Sequence, residues 1–160
     1  MRHAKAMKDS ADGTDYQRDL EDRGKKDAQA MGIALAKTNY KPDFLVASPA
    51  KRTRKTAQLV AKELKLAESI QELDSHLYNA GISDLMYVIH QLNESYHTVM
   101  IVGHNPSMTS IIGYLTNTFA EHIPTSGIVV VSFNTKSWKL VQSRIGEVKW
   151  YINPKGIALV

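Results

Sequence analysis

The chain has 160 residues, the size of one domain, and its hydrophobic and charged fractions, 43% and 22%, are those of an ordinary globular protein. It holds no cysteine, which excludes disulfides, thiol nucleophiles and thiolate metal sites and suits a reducing compartment such as the cytoplasm. A formal charge of +4 is too mild to choose between a polyanion and a small phosphorylated partner, and the sequence carries neither an apolar run of about 18 residues nor a signal-peptide apolar region.

Residues 7–19, MKDSADGTDYQRD, are polar and read as a loop. Residues 23–39 read as a helix, with Ala28, Met31, Ile33 and Leu35 near helical spacing. DFLVAS (43–48), bracketed by Pro42 and Pro49, has the length of a buried strand. A second helix follows over 52–66, with Ala57, Val60, Ala61 and Leu64 on one face, and a third over 83–95. TVMIVG (98–103) is a second buried strand, and residues 106–119 a fourth helix opened by Pro106. Two more strands are expected over 127–133 and 138–145, the latter without a clean polar–apolar alternation. Strands that alternate with helices predict an α/β domain, with helices on both faces of a mainly parallel sheet and right-handed crossovers.

Open sheets of this kind bind ligands beyond the carboxyl ends of their strands. Arg52 follows the first predicted strand, and His104 follows the second. The alternation calls for another strand ahead of the first helix, where the chain instead opens on Arg2-His3. A strand running into Arg2 would bring His3 to the same sheet edge and complete a cluster of two imidazoles and two guanidiniums. Guanidinium forks match phosphoryl oxygens. One imidazole can attack phosphorus while the other donates to the developing charge.

These segments carry a resemblance. RHAKA, SPAKRTRKTA and GHNPS resemble the first-arginine-histidine, second-arginine and second-histidine segments of the histidine phosphatase (phosphoglycerate mutase-like) superfamily. RDLEDRGKKDAQAMG, GHNP and IPTSGIVVVSF followed by Trp138 are similar to its short SixA-type phosphohistidine phosphatases. The resemblance implies a three-layer α/β/α sandwich over residues 1–160 as a single domain. It makes His3 the nucleophile and Arg2, Arg52 and His104 the phosphate-binding residues, with no metal and no cofactor. It also implies apolar residues ahead of Arg2, so the domain reads as lacking its N-terminal strand, and the natural start is expected upstream of Met1. For attack His3 must be neutral, and the surroundings are expected to push the two imidazoles' pKa values apart.

The proton donor is left open. The family's glutamate aligns with Ser75, flanked by Asp74 and His76 with Glu72 nearby. Asp74 is the candidate, Glu72 or no donor at all the alternatives. A phosphoramidate nitrogen is far more basic than an ester oxygen and needs less help to leave, so a weak acid position favours phosphohistidine of a signalling protein. The expected partners are a phosphorylated protein or a small phosphorylated substrate, with inorganic phosphate as product, no nucleic acid and no membrane. A phosphatase of a small ester or sugar phosphate, and a non-catalytic phosphate- or nucleic-acid-binding module, are the competing readings. KRTRK (51–55) motivates the last; within it Lys51, Arg54 and Lys55 read as surface residues. His76, His90, His97 and His122 read as structural or exposed, without metal-ligand spacing, and Trp138 and Trp150 as packing residues.

Overall fold

The structure is a computed structural model that describes residues 1–119 and 121–156; residues 157–160, the end of the expected domain, lie outside the described residues. In chain order the elements are α1 (Asp22–Ala36), β1 (Phe44–Ala47), α2 (Lys51–Glu63), β2 (Gln71–Leu73), α3 (Ile82–His90), β3 (Val99–Val102), α4 (Ser107–Thr116), β4 (Ile128–Phe133) and β5 (Gly146–Ile152). β2, β1 and β3 form a parallel sheet in that order, and β4 and β5 an antiparallel pair.

Residues 1–3 join the two sheets. Arg2 makes a parallel bridge to Gly103, its N–H donates to Gly127 O at 3.0 Å, and Ser126 N–H donates to His3 O at 3.1 Å. This extended segment thus runs between the end of β3 and the start of β4. The α-amino group of Met1 donates to Ile101 O at 2.8 Å, and burial lowers its pKa to about 5. Beyond it an apolar cavity of about 260 Å³ separates the two sheets, lined among others by Val99, Ile101, Met108, Val129 and Val131 and by none of Arg2, His3, Arg52 or His104.

The sheet has a core on each face. Successive strand side chains point to opposite faces, so Phe44 and Val46 pack with Leu85, Ile89, Ile111 and Leu115 of α3 and α4. Leu45 and Ala47 pack with Met31, Leu35, Val60 and Ala61 of α1 and α2. The result is the expected three-layer α/β/α sandwich with a mainly parallel sheet.

Three expectations are corrected. Residues 138–145 are not a strand: Trp138–Leu140 form a 3₁₀ turn, Trp138 Nε1–H donates to Tyr96 O at 2.9 Å, and Arg144 takes a left-handed φ of 64°. The strand is β5, eight residues on, which pairs with β4 (Val129 opposite Tyr151). β2 was not expected. It is a three-residue edge strand with Glu72 and Leu73 exposed, so it has no apolar run to read. Ile33 points to solvent, 45% exposed, because α1 buries the stripe of Ala28, Met31, Gly32 and Leu35 instead.

Candidate active site

His3 emerges from the extended segment between the sheets with its backbone N–H donating to Gly103 O at 3.0 Å. The next residue is tied to a different layer: Ala4 N–H donates to Thr56 Oγ1 at 2.9 Å, and that hydroxyl donates to Arg52 O at 2.7 Å. One threonine on α2 therefore fixes the backbone behind both His3 and Arg52. α1 comes equally close. A Cβ on Gly24 would overlap the Lys5 carbonyl, so glycine is required for the helix to lie against this segment.

The His3 side chain is buried at 9% exposure. Its Nδ1–H donates to Ala4 O at 2.8 Å; a carbonyl can only accept, so the proton is on Nδ1 and Nε2 keeps its lone pair. Burial lowers its pKa to about 3, with the charges of His104, Arg52 and Arg2 acting the same way against the hydrogen bond to Ala4. His3 is a neutral imidazole with a free nucleophilic nitrogen at pH 7.

His104 stands beside it, ring centroids 5.4 Å apart. Burial, with the charge of Arg52 next, lowers its pKa to about 4. The two imidazoles are therefore not pushed apart, as the sequence led us to expect. Both are driven neutral, because both are buried among the same guanidiniums. His104 Nε2 lies 2.8 Å from Ser48 Oγ, at the end of β1.

Arg52, in the first turn of α2, is 6% exposed. Its Nη1–H donates to Asp15 O at 2.8 Å and its Nη2–H to Asp15 Oδ2 at 3.0 Å. Tyr78 O–H donates to the same oxygen at 2.8 Å, and Arg18 Nη1–H donates to Asp15 Oδ1 at 3.0 Å. Burial pushes the Asp15 carboxyl up, but these hydrogen bonds together outweigh it and hold the pKa at about 2. Tyr78 also packs edge-on to His104 at 5.6 Å. The polar loop 7–19 is thus bound into the site through Asp15, a residue the sequence reading passed over. Its one readable sign was an Asp three residues ahead of an Arg in an otherwise unpatterned stretch.

Arg2 completes the group from the other side: Nη1–H donates to Ile123 O at 3.0 Å and faces His122 Nε2 at 3.2 Å. His122, read from sequence as structural or exposed, is thereby a neighbour of the site. Asp74 stands apart. At the end of β2 its Oδ1 takes the His76 N–H at 2.8 Å and the His76 ring Nδ1–H at 2.7 Å. No hydrogen bond among the described residues connects Asp74 or Glu72 to His3 or His104. Within KRTRK, Lys51 and Lys55 both pair with Asp19, at 3.2 and 2.6 Å, so loop 7–19 offsets part of the basic run.

Three buried nitrogens in this cluster have no hydrogen-bond partner: Arg2 Nε, Arg52 Nε and His104 Nδ1. Buried donors without acceptors are costly and rare. They belong to residues whose charge or ring acts on the neutral imidazole of His3, and hydrogen-bond donors of this kind match the acceptor oxygens of an anion. Among the described residues no group of three or more His, Asp or Glu could hold a metal ion, and no helix is long and apolar enough to cross a membrane.

A search of curated proteins finds no significant match. The sequence profile of the histidine phosphatase superfamily (branch 1) matches residues 1–79, which include Arg2, His3, Asp15, Arg52 and Tyr78. Among solved structures, the fold is similar to that of the protein histidine phosphatase SixA complexed with tungstate (TM-score 0.82, 23% identity, 97% of this chain and 95% of that one). It is also similar to a protein assigned as the phosphohistidine phosphatase SixA of Agrobacterium tumefaciens (TM-score 0.79, 24% identity, 96% and 94% covered). A protein assigned as an alpha-ribazole-5'-P phosphatase of Escherichia coli is more distant (TM-score 0.67, 15% identity, 100% and 97% covered). The profile match thus takes in both arginine segments, and the solved structures share the sandwich fold.

Proposed function

We propose that this chain is a phosphatase that works through a phosphohistidine intermediate on His3, and that its substrate is phosphohistidine on a protein. The observation that carries the reading is the set of three unpartnered buried nitrogens, Arg2 Nε, Arg52 Nε and His104 Nδ1, around a neutral imidazole. They supply hydrogen-bond donors where an in-line phosphoryl transfer spreads its charge.

In the first step the lone pair of His3 Nε2 forms a bond to phosphorus as the bond to the substrate imidazole breaks. The leaving nitrogen takes a proton from water. In the second, a water oxygen bonds to phosphorus, the bond to Nε2 breaks, and inorganic phosphate leaves with the water's proton passing to solvent. Arg2, Arg52 and His104 hold the equatorial oxygens throughout. Asp74 is the residue proposed from sequence as donor. Its carboxylate is engaged with His76, and a basic leaving group needs less help from an enzymic acid. The likeness to SixA structures supports phosphohistidine, and the likeness to the alpha-ribazole-5'-P enzyme supports a small phosphate ester as the second reading. The absence of cysteine accords with a cytoplasmic enzyme.

The test offers a phosphohistidine-bearing protein, phosphoserine peptide and a sugar phosphate side by side, each ³²P-labelled, and quenches early in turnover. We expect label on His3, fastest from phosphohistidine, and no turnover by His3→Ala. Turnover by that variant would remove His3 as nucleophile, and a preference for the sugar phosphate would establish the second reading.

A further inference from the structure

We propose that Ser48 is a positioning residue that fixes the tautomer of His104, holding its proton on Nδ1 so that a neutral imidazole presents an N–H to the phosphoryl group. The inference rests on the function proposed above. Ser48 is fully buried, and its Oγ lies 2.8 Å from His104 Nε2. The hydroxyl also receives the Ala50 N–H, at a long 3.5 Å. A serine hydroxyl has one proton to give, and among the described residues His104 Nε2 is its only acceptor. Ser48 Oγ–H therefore donates to Nε2, and the imidazole proton sits on Nδ1, the nitrogen that is buried and without a partner.

The alternative tautomer, with Nε2–H donating to Ser48, leaves two faults. The serine proton would have no acceptor, and a bare lone pair on Nδ1 would face a phosphoryl oxygen. Each is a buried polar group left unmatched or opposed. The geometry also gives the two site histidines different tasks without a difference in charge. His3 spends Nδ1–H on the Ala4 carbonyl and leaves Nε2 free to attack, whereas His104 spends Nε2 on Ser48 and leaves Nδ1–H free to donate. A wrong tautomer at an otherwise intact site can be as damaging as loss of the residue.

The test is ¹⁵N-detected NMR of the histidine rings in the full chain at pH 7, with the His104 signals identified by their loss in His104→Gln. We expect a neutral His104 with Nδ1 protonated and Nε2 bare. In Ser48→Ala the proton should move to Nε2, and kcat on phosphohistidine should fall by about tenfold or more with KM little changed. Ser48→Thr, which keeps the hydroxyl, should restore the wild-type tautomer and most of the rate. A wild-type His104 carrying its proton on Nε2, or on both nitrogens, overturns the assignment, whatever the variants do. So does a Ser48→Ala enzyme with the tautomer unchanged. The ring spectrum needs no substrate, so a wild-type chain that shows the Nδ1–H tautomer but hydrolyses no phosphohistidine sinks the proposed function and leaves this inference standing.

Discussion

Arg52 gives both terminal nitrogens of its guanidinium to one residue, donating to the Asp15 carbonyl at 2.8 Å and to the Asp15 carboxylate at 3.0 Å. A buried cation is thereby paired, and its Nε edge is the one left unpartnered. The arrangement costs the loop its freedom, since Tyr78 holds the same carboxylate from another segment and Arg18 holds it from within the loop.

Asp15→Asn keeps the shape and removes the charge that fixes Arg52. Inorganic phosphate and orthovanadate, measured by calorimetry and inhibition, should bind roughly tenfold more weakly, the loss of one charge-assisted hydrogen bond. The circular dichroism spectrum should not change. Tighter binding in the variant would mean that Asp15 competes with the phosphoryl group rather than holding the arginine in place for it.

The sequence made part of this site readable and hid the rest for physical reasons. Arg52 and His104 were legible because each follows a short apolar run, and a strand end is where a parallel sheet puts its chemistry. β1 and β3 were legible as short apolar runs, β1 buried along its whole length and β3 half-buried at Val99 and Ile101. Asp15, Tyr78 and Thr56 were not. They act by meeting across 37 to 63 residues of chain, as in Arg52 to Asp15 and Tyr78 to Asp15, and no local period encodes such a meeting. β5 was placed eight residues early because Trp138, Leu140 and Val141 look like strand residues, while their backbone turns at Trp138–Leu140. The neutral state of His104 escaped as well: it follows from burial beside Arg52, which the sequence does not display.

Thr56 links the backbones of Ala4 and Arg52 through one hydroxyl. Thr56→Val is close to isosteric and removes both bonds, leaving the buried Ala4 N–H without an acceptor. Such a group costs about 1–3 kcal/mol. Urea unfolding should show a lower midpoint at unchanged m, and kcat should fall with it because His3 sits one residue from the lost bond. A variant with wild-type stability would show that the Ala4 N–H is satisfied by other means.

Gly24→Ala sets two effects against each other. Alanine favours the interior of a helix over glycine by about 1 kcal/mol. Its Cβ would, however, overlap the Lys5 carbonyl, a backbone atom that cannot rotate away. The overlap should win, since relief requires α1 to move off the segment that follows His3. The melting temperature should drop and activity with it; a rise would show that α1 can shift at little cost.

Stability should fall as the solution is acidified from pH 7 toward pH 4. His3 and His104 have folded-state pKa values of about 3 and about 4 against an ordinary 6.5, lowered by burial first. Between those values and 6.5 the unfolded chain binds protons that the folded chain refuses, so unfolding becomes easier with each step down in pH. Above 6.5 neither state binds them, and the stabilisation is fully present. At pH 5 the loss is about 2 kcal/mol for each histidine. Asp15 and Asp19, at about 2 against an ordinary 3.8, add a further loss only below pH 4. Urea midpoints measured from pH 8 to pH 4.5 should be flat to about pH 7 and then decline. His104→Gln, which keeps a polar side chain but cannot titrate, should decline less steeply. Ring proton shifts of His3 and His104 should stay constant down to about pH 5.5, because the folded chain keeps both imidazoles neutral there. A titration of either ring near pH 6.5 would mean that the site is wetter and less buried than its geometry requires.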